Sequence, residues 1–355
     1  MDERNRWKVR DGDEKDLKGI LSLRRTVFGE MEEDKLDPKF WQWEFMEGPN
    51  GKALIYIVED GNKIISHFAD LPRQFSAHGK VVRGTLSVDL MVAPDYRRKG
   101  IFEEMGKYGI DKVKREQGLF LTAYPIRGET INGFKKIGWK EVVKLPVLVY
   151  PLKFTGIVNR YLHFLPFNLL IGGLARILYN LLFAMRRRKG GGGIEIEKVG
   201  ELDNQFEYFL GKAISLYPIM GIRDREYMAW RYFRHPTRNY TIYRAMEKGE
   251  MRGFIILRKV DLLAFNSAVI VDLLALDEDA LTALVEKGIT YSQREGVDLL
   301  GFMVPEVHPY YRLLRKRGFL RSPETFLFML YSHEEDKDLL DPKGWYVNWG
   351  DTDVI

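Results

Sequence analysis

The chain has 355 residues, 45% of them hydrophobic and 30% charged, a composition typical of folded globular proteins and unlike disordered or collagen-like chains. It contains no cysteine, which excludes disulfides, thiolate metal sites and a cysteine nucleophile and fits a reducing compartment such as the cytoplasm. The 55 basic and 50 acidic residues give a net charge of +5, too small an excess to predict nucleic-acid binding. The first residues have no apolar stretch, so we expect no secretory signal.

The first 150 residues have the patterns of an α/β unit. Apolar residues recur at helical spacing in some segments, and alternating or wholly apolar runs mark strands in others. In chain order we expect a strand (7–9), two helices (17–27 and 40–49), an antiparallel meander of three strands (53–59, 63–76 and 81–92), an amphipathic helix (100–117), a buried strand (118–125), a short helix (130–138) and a closing strand (139–150).

The second half of the sequence repeats the first. The segment FWQWEFMEGP (40–49) has a counterpart in YMAWRYFRHP (227–236), and SVDLMVAP (87–94) has one in IVDLLALD (270–277). Two further matches follow in the same order at similar offsets, REQGLFLTAYP with REGVDLLGFMVP and FKKIGW with LRKRGF. Collinear matches of this kind predict a duplicated unit rather than chance similarity.

A connector separates the two predicted copies. Its apolar stretch, 162–185, is interrupted centrally by Arg176, which disfavours a transmembrane helix. Two interpretations stay open: a helix packed between the domains, or an interfacial helix in which 162–188, with its basic flank, makes peripheral membrane contact. The glycines at 190–193 are predicted to be a linker. The predicted organisation is two domains (1–150 and 194–331), a connector (151–193) and a C-terminal tail (332–355).

The segment VAPDYRRKGIFEEM places three cations, Arg97, Arg98 and Lys99, directly before a predicted helix. Cations are disfavoured there because the helix dipole already makes that end positive. The turn joins a strand to a helix, so its backbone N–H groups converge with the dipole, and Gly100 lets the backbone approach a large anion closely. We therefore expect an anion to bind at this turn.

The matching turn of the second copy, LDEDAL, has the opposite charge. Asp277 is placed to cap the following helix, and Glu278 and Asp279 fall in its first turn. Carboxylates at this place would repel an anion. The anion site is therefore predicted in the first copy and not in the second.

The segment VAPDYRRKGIF resembles motif A of the GCN5-related N-acetyltransferase (GNAT) superfamily, whose pattern Q/R-x-x-G-x-G/A falls on Arg97, Gly100 and Phe102. The bulky Phe102 departs from the last position of that pattern. A bulky residue at this position resembles the branch that contains the enhanced-intracellular-survival aminoglycoside acetyltransferases. The resemblance covers about residues 5–150, and 195–331 as a degenerate second copy. It implies an α/β (α+β) fold of two tandem GNAT-like domains, each a mixed, mostly antiparallel sheet flanked by helices.

This resemblance implies acetyl-CoA as co-substrate. The six histidines have no metal-ligand spacing, so we expect no metal ion. The pyrophosphate would lie on the N–H groups of residues 97–102 and the pantetheine along splayed strand ends, where the Val92 N–H would polarise the thioester carbonyl. Asn132 is either a side-chain contact to the pantetheine or an ordinary helix N-cap. The implied cofactor-binding residues are Met91, Val92, Arg97, Arg98, Lys99, Gly100, Ile101, Phe102, Asn132 and Phe134.

Amine acetylation needs an acid for the departing thiolate and a base for the acceptor amine. Many GNAT enzymes have the acid, a tyrosine, where this chain has Phe134. Tyr124 is the substitute that we consider, the alternative being a plain core aromatic. Candidates for the base are Asp89, Glu129 and, as in the aminoglycoside-acetylating relatives, the C-terminal carboxylate of Ile355, with Asp351 and Asp353 nearby. Asp272 holds the place of Asp89 in the second copy, which favours a structural role for both.

An acidic loop, with Glu30, Glu32, Glu33 and Asp34, falls where GNAT relatives close over the acceptor, which suggests a cationic amine; a solvated loop is the alternative. The predicted function is acetyl-CoA-dependent N-acetylation of a primary amine, such as an amino sugar or an aminoglycoside-like compound, by direct attack in a ternary complex. The alternative is a non-catalytic acyl-CoA-binding sensor or scaffold. The sequence leaves the oligomeric state open.

Overall fold

The computed structural model describes residues 7–29, 33–153, 193–262 and 264–353, together with Ile177. The chain divides into two compact units that alternate along the sequence. The first unit contains the described residues of Met1–Val143, Tyr217–Arg238 and Leu327–Trp345, and the second those of Lys144–Leu216, Asn239–Phe326 and Tyr346–Ile355. Apart from Ile177, the apolar segment 162–185 lies outside the described residues.

The predicted helices and strands of the first copy are confirmed, with ends displaced by about three residues at most. In chain order they are β1 (Val9–Asp11), α1 (Leu17–Phe28), α2 (Pro38–Met46), β2 (Leu54–Asp60), β3 (Lys63–Ala77), β4 (Lys80–Val92), α3 (Ile101–Arg115), β5 (Phe120–Ala123), α4 (Gly128–Lys136) and β6 (Lys140–Pro151). The start of α2 shows the local cause: the Asp37 side chain accepts from the Lys39 N–H over 2.8 Å, and Pro38 occupies the first helical position.

The first unit is built on a mostly antiparallel sheet. Its strand order is β1-β2-β3-β4-β5-β13, where β13 (Leu320–Ser332) contributes its C-terminal end. Neighbouring strands are antiparallel except for β4 and β5, which are parallel and are connected through α3. A short strand, β8 (Ile219–Gly221), also pairs with the end of β3. The predicted mixed α/β fold is confirmed.

Two tryptophans at equivalent places of the sequence repeat meet in the core of the first unit. Trp43 of α2 stacks on Trp230 with ring centroids 4.4 Å apart. The Trp43 Nε1 donates to the Trp230 carbonyl over 2.9 Å, and the Trp230 Nε1 donates to the Trp43 carbonyl over 3.0 Å. With Phe40 and Tyr227 they form a buried cluster. The exchange of hydrogen bonds is symmetric, as expected if the two segments are copies of each other.

Helix α4 packs closely on α3 through aromatic side chains. A Cβ at Gly133 would lie 2.6 Å from the Phe102 ring, so only glycine fits there without displacing that ring. Phe134 is buried against Phe102, with centroids 5.4 Å apart, and against Trp139 at 4.5 Å. Phe102, the residue that departs from the motif, therefore serves to join the two helices.

The second half of the sequence repeats the element order of the first half, and most of its elements form the second unit. It contains β7 (Glu195–Val199), α5 (Asn204–Ala213), β9 (Thr241–Glu247), β10 (Glu250–Leu262), β11 (Phe265–Ala275), α7 (Glu278–Arg294), β12 (Leu299–Met303) and α8 (Pro309–Lys316), while β8 and a short helix, α6 (Arg225–Met228), belong to the first unit. The strand order is β7-β9-β10-β11-β12-β6, antiparallel except for β11 and β12. Asp277 caps α7 as predicted, accepting from the Ala280 N–H over 2.8 Å.

Among the described residues, no helix is both long and apolar enough to cross a bilayer. The two interpretations of the 162–185 segment stay predictions.

Candidate active site

The turn between β4 and α3 has a backbone suited to an anion. After a short 3-10 turn (Pro94–Tyr96), Arg98 has a φ of 63° and Gly100 a φ of 83°. A non-glycine residue with positive φ is uncommon, and such strain concentrates at functional sites. Helix α3 begins at Ile101, and the N–H groups at the start of a helix point out of its N-terminal end, where an anion can bind. The Glu103 N–H already donates to the Gly100 carbonyl over 3.0 Å, and the Arg97 N–H donates to the Pro94 carbonyl over 3.3 Å. A Cβ at Gly100 would meet no atom within 4 Å, so this side of the turn is open.

The three predicted cations surround this turn. Arg97, Arg98 and Lys99 are all exposed. The Arg97 Nε donates to the Val92 carbonyl over 3.2 Å, which holds the guanidinium at the end of β4. The Lys99 Nζ lies 5.1 Å from the ring centroid of Tyr96. Positive side chains and helix N–H groups thus share one small region.

The strands β4 and β5 separate beside the turn. Their parallel pairing covers residues 84–86 and 120–122, and β4 continues beyond it to Val92. The Ala93 N–H donates to the Ile65 carbonyl over 2.8 Å. Because successive residues of an antiparallel strand point their N–H groups to opposite sides, the Val92 N–H points away from β3, toward the space between β4 and β5. The Met91 side chain is buried, and its carbonyl accepts from the Ser66 hydroxyl of β3 over 2.7 Å, away from this gap.

Asp89 lies at a β-bulge in the diverging part of β4. The register with β3 shifts between His67 and Ala69, and Asp89 has a φ of 52°. Its carboxylate forms an ion pair with the Arg24 Nη2 and lies 3.8 Å from the Lys35 Nζ. The Asp89 carbonyl accepts a hydrogen bond from the His67 Nδ1 over 2.9 Å. These contacts fix the bulge and with it the divergence of β4 from β5.

The same contacts set the protonation states around Asp89. Burial alone would raise the pKa of the Asp89 carboxyl, but the charges of Arg24 and Lys35 outweigh it and hold this pKa well below its usual value. Burial lowers the pKa of His67 despite the nearby carboxylate, so its imidazole is neutral at pH 7, with the proton on Nδ1 because a carbonyl oxygen only accepts. A carboxylate with so low a pKa is a weak base at neutral pH.

The remaining catalytic and pantetheine candidates lie on the β5 side. Tyr124 directly follows β5 and is buried, with its ring stacked on Phe328 at 5.3 Å. Asn132 is exposed in the middle of α4, and the N-cap of that helix is Arg127, so the interpretation of Asn132 as an N-cap is wrong. Glu129 is exposed in the first turn of α4.

The acidic loop is only partly described, since Glu30 and Glu32 lie outside the described residues. Glu33 is exposed. Asp34 accepts a hydrogen bond from the Arg238 Nε over 2.6 Å, and Arg238 is buried. The Asp34 carboxylate is therefore held by a cation of the protein itself.

The predicted C-terminal base lies outside the described residues, because these end at Asp353. Asp351 and Asn348 form a capping box around the short 3-10 helix Trp349–Asp351. Trp349 is fully buried, and Asp351 is buried as well. The segment that leads to Ile355 is thus anchored in the second unit.

The second unit has a similar divergence between β11 and β12. Their parallel pairing covers residues 267–270 and 299–302, and β11 continues to Ala275. Ala275 occupies the place of Val92 in the sequence repeat. Its N–H donates to the Tyr310 hydroxyl over 3.0 Å. The N–H group that would polarise a thioester in the first copy is already hydrogen-bonded in the second.

The C-terminal segment covers the neighbouring part of β11. The Tyr346 hydroxyl donates to the Leu273 carbonyl, and the Asn348 Nδ2 donates to the Asp272 carboxylate over 2.8 Å. Side chains of the second unit therefore take the backbone and carboxylate groups that a ligand would need there. Asp272 has a structural partner, as its position in the repeat suggested.

Arg24 and Lys35 are the residues of this region that the sequence analysis missed. Arg24 lies four residues after Ile20 and three before Val27, so its charge on the apolar face of α1 was a usable signal. Lys35 gave no such signal because it stands in an acidic segment that predicts a solvated loop.

Asp70 gives a prediction for the pH dependence of stability. It is fully buried and accepts hydrogen bonds from the hydroxyls of Ser87, Tyr56 and Thr85; burial raises its pKa to about 6. Because this pKa is higher in the folded than in the unfolded state, the carboxyl favours folding at low pH, and that contribution is lost as the pH rises toward 6. A shift of this size corresponds to about 3 kcal/mol.

We therefore expect Asp70→Asn to increase the free energy of unfolding at pH 8 by about 1–3 kcal/mol, with little effect at pH 4, since the neutral amide still accepts from the hydroxyls. Urea denaturation at several pH values measures this. If the free energy of unfolding changed with pH in the same way in the unmodified protein and in Asp70→Asn, the raised pKa of Asp70 would be contradicted.

Comparison with known proteins agrees with this geometry. A family model described as an acetyltransferase (GNAT) domain matches residues 8–142, whereas no curated protein matches significantly. A GCN5-related N-acetyltransferase from Anabaena variabilis is 13% identical, with a TM-score of 0.64 over 91% of this chain and 72% of that chain. A probable N-acyltransferase from Enterococcus faecalis is 12% identical, with a TM-score of 0.63 over 92% and 72%. Saccharomyces cerevisiae N-myristoyltransferase, solved with bound myristoyl-CoA and inhibitors, is 11% identical, with a TM-score of 0.64 over 97% and 87%.

The fold and the basic turn define residues 8–142 as a GNAT acetyltransferase domain, which confirms the predicted superfamily for this part of the chain. The protein is accordingly an acyltransferase whose acyl donor is an acyl-CoA. The tandem arrangement and the resemblance to the enhanced-intracellular-survival branch stay predictions. Within the ranges that the structure describes, no cluster of three or more His, Asp or Glu side chains could hold a metal ion.

Proposed function

We propose that the protein transfers an acetyl group from acetyl-CoA to the primary amine of a small molecule. The observation that carries the proposal is the juxtaposition of the open, basic turn at the α3 N-terminus with the Val92 N–H, which faces the gap between β4 and β5. Arg97, Arg98 and Lys99 would balance the pyrophosphate charge. The Val92 N–H would donate to the thioester oxygen as negative charge develops on it.

The reaction is a direct transfer in a ternary complex. The lone pair of the neutral amine attacks the thioester carbon, the new N–C bond forms, and the C–S bond breaks as the tetrahedral adduct collapses. One proton leaves the nitrogen and one is taken up by the CoA thiolate, so the protein must accept and supply a proton or pass both through water.

The structure supports some of the candidate acids and bases for these proton transfers better than others. Tyr124, at the end of β5 beside the gap, is the proposed acid. Asp89 is a poor base because its pKa is held low, and it acts instead as the anchor of the bulge. Glu129 is exposed and so retains a carboxylate accessible to solvent. The carboxylate of Ile355 is the alternative base, which would resemble the aminoglycoside-acetylating relatives.

Acyl-CoA binding is assigned to the first unit. The hydrogen bond from the Ala275 N–H to Tyr310 and the acidic turn at Asp277 both argue against a second site. We also infer that the two halves of the sequence arose by duplication of one GNAT-like unit, a proposal supported by the recurring element order and by the reciprocal hydrogen bonds of Trp43 and Trp230.

The test of this function is release of CoA thiol. Acetyl-CoA is incubated with the protein and a panel of primary amines, and free thiol is measured against a protein-free control. Amine-dependent release well above the control rate is expected. Binding of acetyl-CoA without thiol release from any amine would favour the second candidate, a non-catalytic acyl-CoA sensor or scaffold, for which Phe134 in the place of the usual tyrosine is the supporting observation.

A further inference from the structure

The Val92 N–H belongs to the peptide between Met91 and Val92, and a serine holds the carbonyl of that peptide. The Ser66 hydroxyl of β3 donates to the Met91 carbonyl over 2.7 Å. Because the carbonyl and the N–H of one trans peptide point in opposite directions, this bond lies on the β3 side and the N–H on the side of the gap. Ser66 and Met91 are both fully buried. The hydroxyl therefore fixes the plane of the peptide that carries the proposed donor.

Helix α3 in turn holds the Ser66 hydroxyl in place. The Ser66 Oγ lies 2.8 Å from the Sδ of Met105, which is fully buried in the helix that begins at the basic turn. A hydroxyl has a single proton, and a carbonyl oxygen is a much better acceptor than a thioether. Ser66 therefore donates to the Met91 carbonyl, while Met105 packs against its oxygen. The serine thus lies between the motif helix and the peptide that faces the gap.

The neighbouring residue of β3 holds the same end of β4 from the opposite face. The His67 Nδ1 donates to the Asp89 carbonyl over 2.9 Å, and the His67 ring centroid lies 5.8 Å from that of Phe45 in α2. Successive side chains of a strand point to opposite faces of a sheet, so Ser66 lies on the α3 face and His67 on the α2 face. The segment that leads to Val92 is therefore fixed from both faces.

The second unit lacks the serine at the equivalent place. Gly253 of β10 pairs with Ala275 in the same register in which Ser66 pairs with Val92. A Cβ at Gly253 would lie 2.7 Å from the Leu274 carbonyl, which belongs to the same peptide as the Ala275 N–H. That N–H is already hydrogen-bonded within the second unit. A hydroxyl behind the peptide thus occurs in the copy whose N–H faces the gap and is replaced by a glycine in the other.

We propose that Ser66 is a positioning residue for acyl transfer, which orients and polarises the Met91–Val92 peptide so that its N–H donates more strongly to the thioester oxygen. This inference rests on the proposed transferase function, in which the Val92 N–H is that donor. A hydrogen bond accepted by a peptide carbonyl strengthens the hydrogen bond that the N–H of the same peptide donates. The gain is largest in the transition state, where the oxygen carries most negative charge. Ser66 therefore acts on the rate of transfer rather than on acetyl-CoA affinity.

Ser66→Ala tests the proposal through single turnovers. Thiol release is followed with the protein in excess over acetyl-CoA and with a saturating amine, so that product release does not limit the rate. We expect the rate to fall about 5- to 30-fold, less than the roughly 100- to 1,000-fold that follows removal of an oxyanion donor itself, because the N–H remains. Ser66→Cys, with a weak donor of similar size, should fall between serine and alanine. An unchanged rate in Ser66→Ala would overturn the proposal.

Two comparisons distinguish a positioning role from a merely structural one. The acetyl-CoA dissociation constant of Ser66→Ala should stay within about two-fold of that of the unmodified protein, since the effect is confined to the transition state. Ser267→Ala removes an equally buried hydroxyl, which donates to the Phe265 carbonyl in the second unit over 2.9 Å. This control should keep the normal rate. A loss of rate in both variants, or a loss in Ser66→Ala matched by the loss of affinity, would contradict the role of Ser66.

Nuclear magnetic resonance tests the peptide itself without any amine. A methionine is followed by a valine at two places only, Met91–Val92 and Met303–Val304, so carbonyl-13C methionine with 15N valine gives two correlation signals. Ser66→Ala should move the first and leave the second. Acetyl-CoA should move the Val92 proton signal downfield, and by less in Ser66→Ala.

The possible failures of this experiment are distinguishable. An equal shift of the Val92 proton in Ser66→Ala and the unmodified protein would overturn the role of Ser66 and leave the transferase function intact. Acetyl-CoA binding that moves the Val92 proton signal in neither protein would overturn Val92 as the donor, and the inference on Ser66 with it.

Discussion

Replacement of Arg97 and Arg98 by glutamate should abolish measurable acetyl-CoA binding without unfolding the protein. Both side chains are exposed at the open turn before α3, so the core does not depend on them. The change removes two positive charges from the proposed pyrophosphate site and adds two negative ones. Loss of two charge-assisted hydrogen bonds, about 1.5–3 kcal/mol each, weakens binding by about 100-fold or more.

A matched double variant distinguishes the loss of cations at the turn from a general effect of the protein's net charge on acetyl-CoA binding. Lys107→Glu with Lys114→Glu makes the same change of charge on the exposed face of α3. Calorimetric titration with acetyl-CoA should give near-normal affinity for this control, and thermal unfolding should show that both double variants are folded. Unchanged affinity in the Arg97/Arg98 variant would remove the basis for placing the pyrophosphate at this turn.

Deletion of residues 345–355 should unfold the protein rather than merely stop turnover. If the C-terminal segment served only as the catalytic base, its removal would leave the fold and acetyl-CoA binding intact. In the structure, however, Trp345 is buried and packs edge-on against Phe328 at 4.9 Å and Phe120 at 5.7 Å in the first unit. Trp349 is fully buried in the second unit. Truncating a buried tryptophan costs about 3–5 kcal/mol, so losing both approaches the whole stability of a typical domain.

The expected result is loss of the cooperative unfolding transition in circular dichroism. Removal of Val354 and Ile355 alone is the matched deletion, because both lie beyond the buried segment. If the terminal carboxylate is the base, this short deletion should lower kcat with acetyl-CoA affinity unchanged; full activity would exclude it. A folded, acetyl-CoA-binding protein after the longer deletion would contradict the structural role of the two tryptophans.

Local patterns in the sequence predicted the first copy well. The meander, the motif helix and the short helix before the closing strand lie where periodicity placed them, since each is an element of two periods or more. The alternation of the units was not predictable in this way. The end of β13 joins β5 in the first unit and the end of β6 joins β12 in the second, and such pairings between distant segments leave no local signal.

In the site, too, consecutive residues could be predicted from the sequence, whereas contacts between distant segments could not. The basic turn was predicted because its chemistry is contained in consecutive residues, from Arg97 to Gly100. The surroundings of Asp89 were not, because Arg24 and Lys35 come from other elements and reach it only in the folded chain. The repeat was nevertheless informative: it pointed to Ala275 as the residue to compare with Val92, and the hydrogen bond to Tyr310 distinguishes the two units.

We propose that acetyl-CoA binds to the first unit of this chain and not to the second. Calorimetric titration of the unmodified protein with acetyl-CoA tests it most directly. The predicted result is saturable binding with one molecule per chain, lost in the Arg97/Arg98 double variant. Two molecules per chain, or no binding to a folded protein, would contradict the claim.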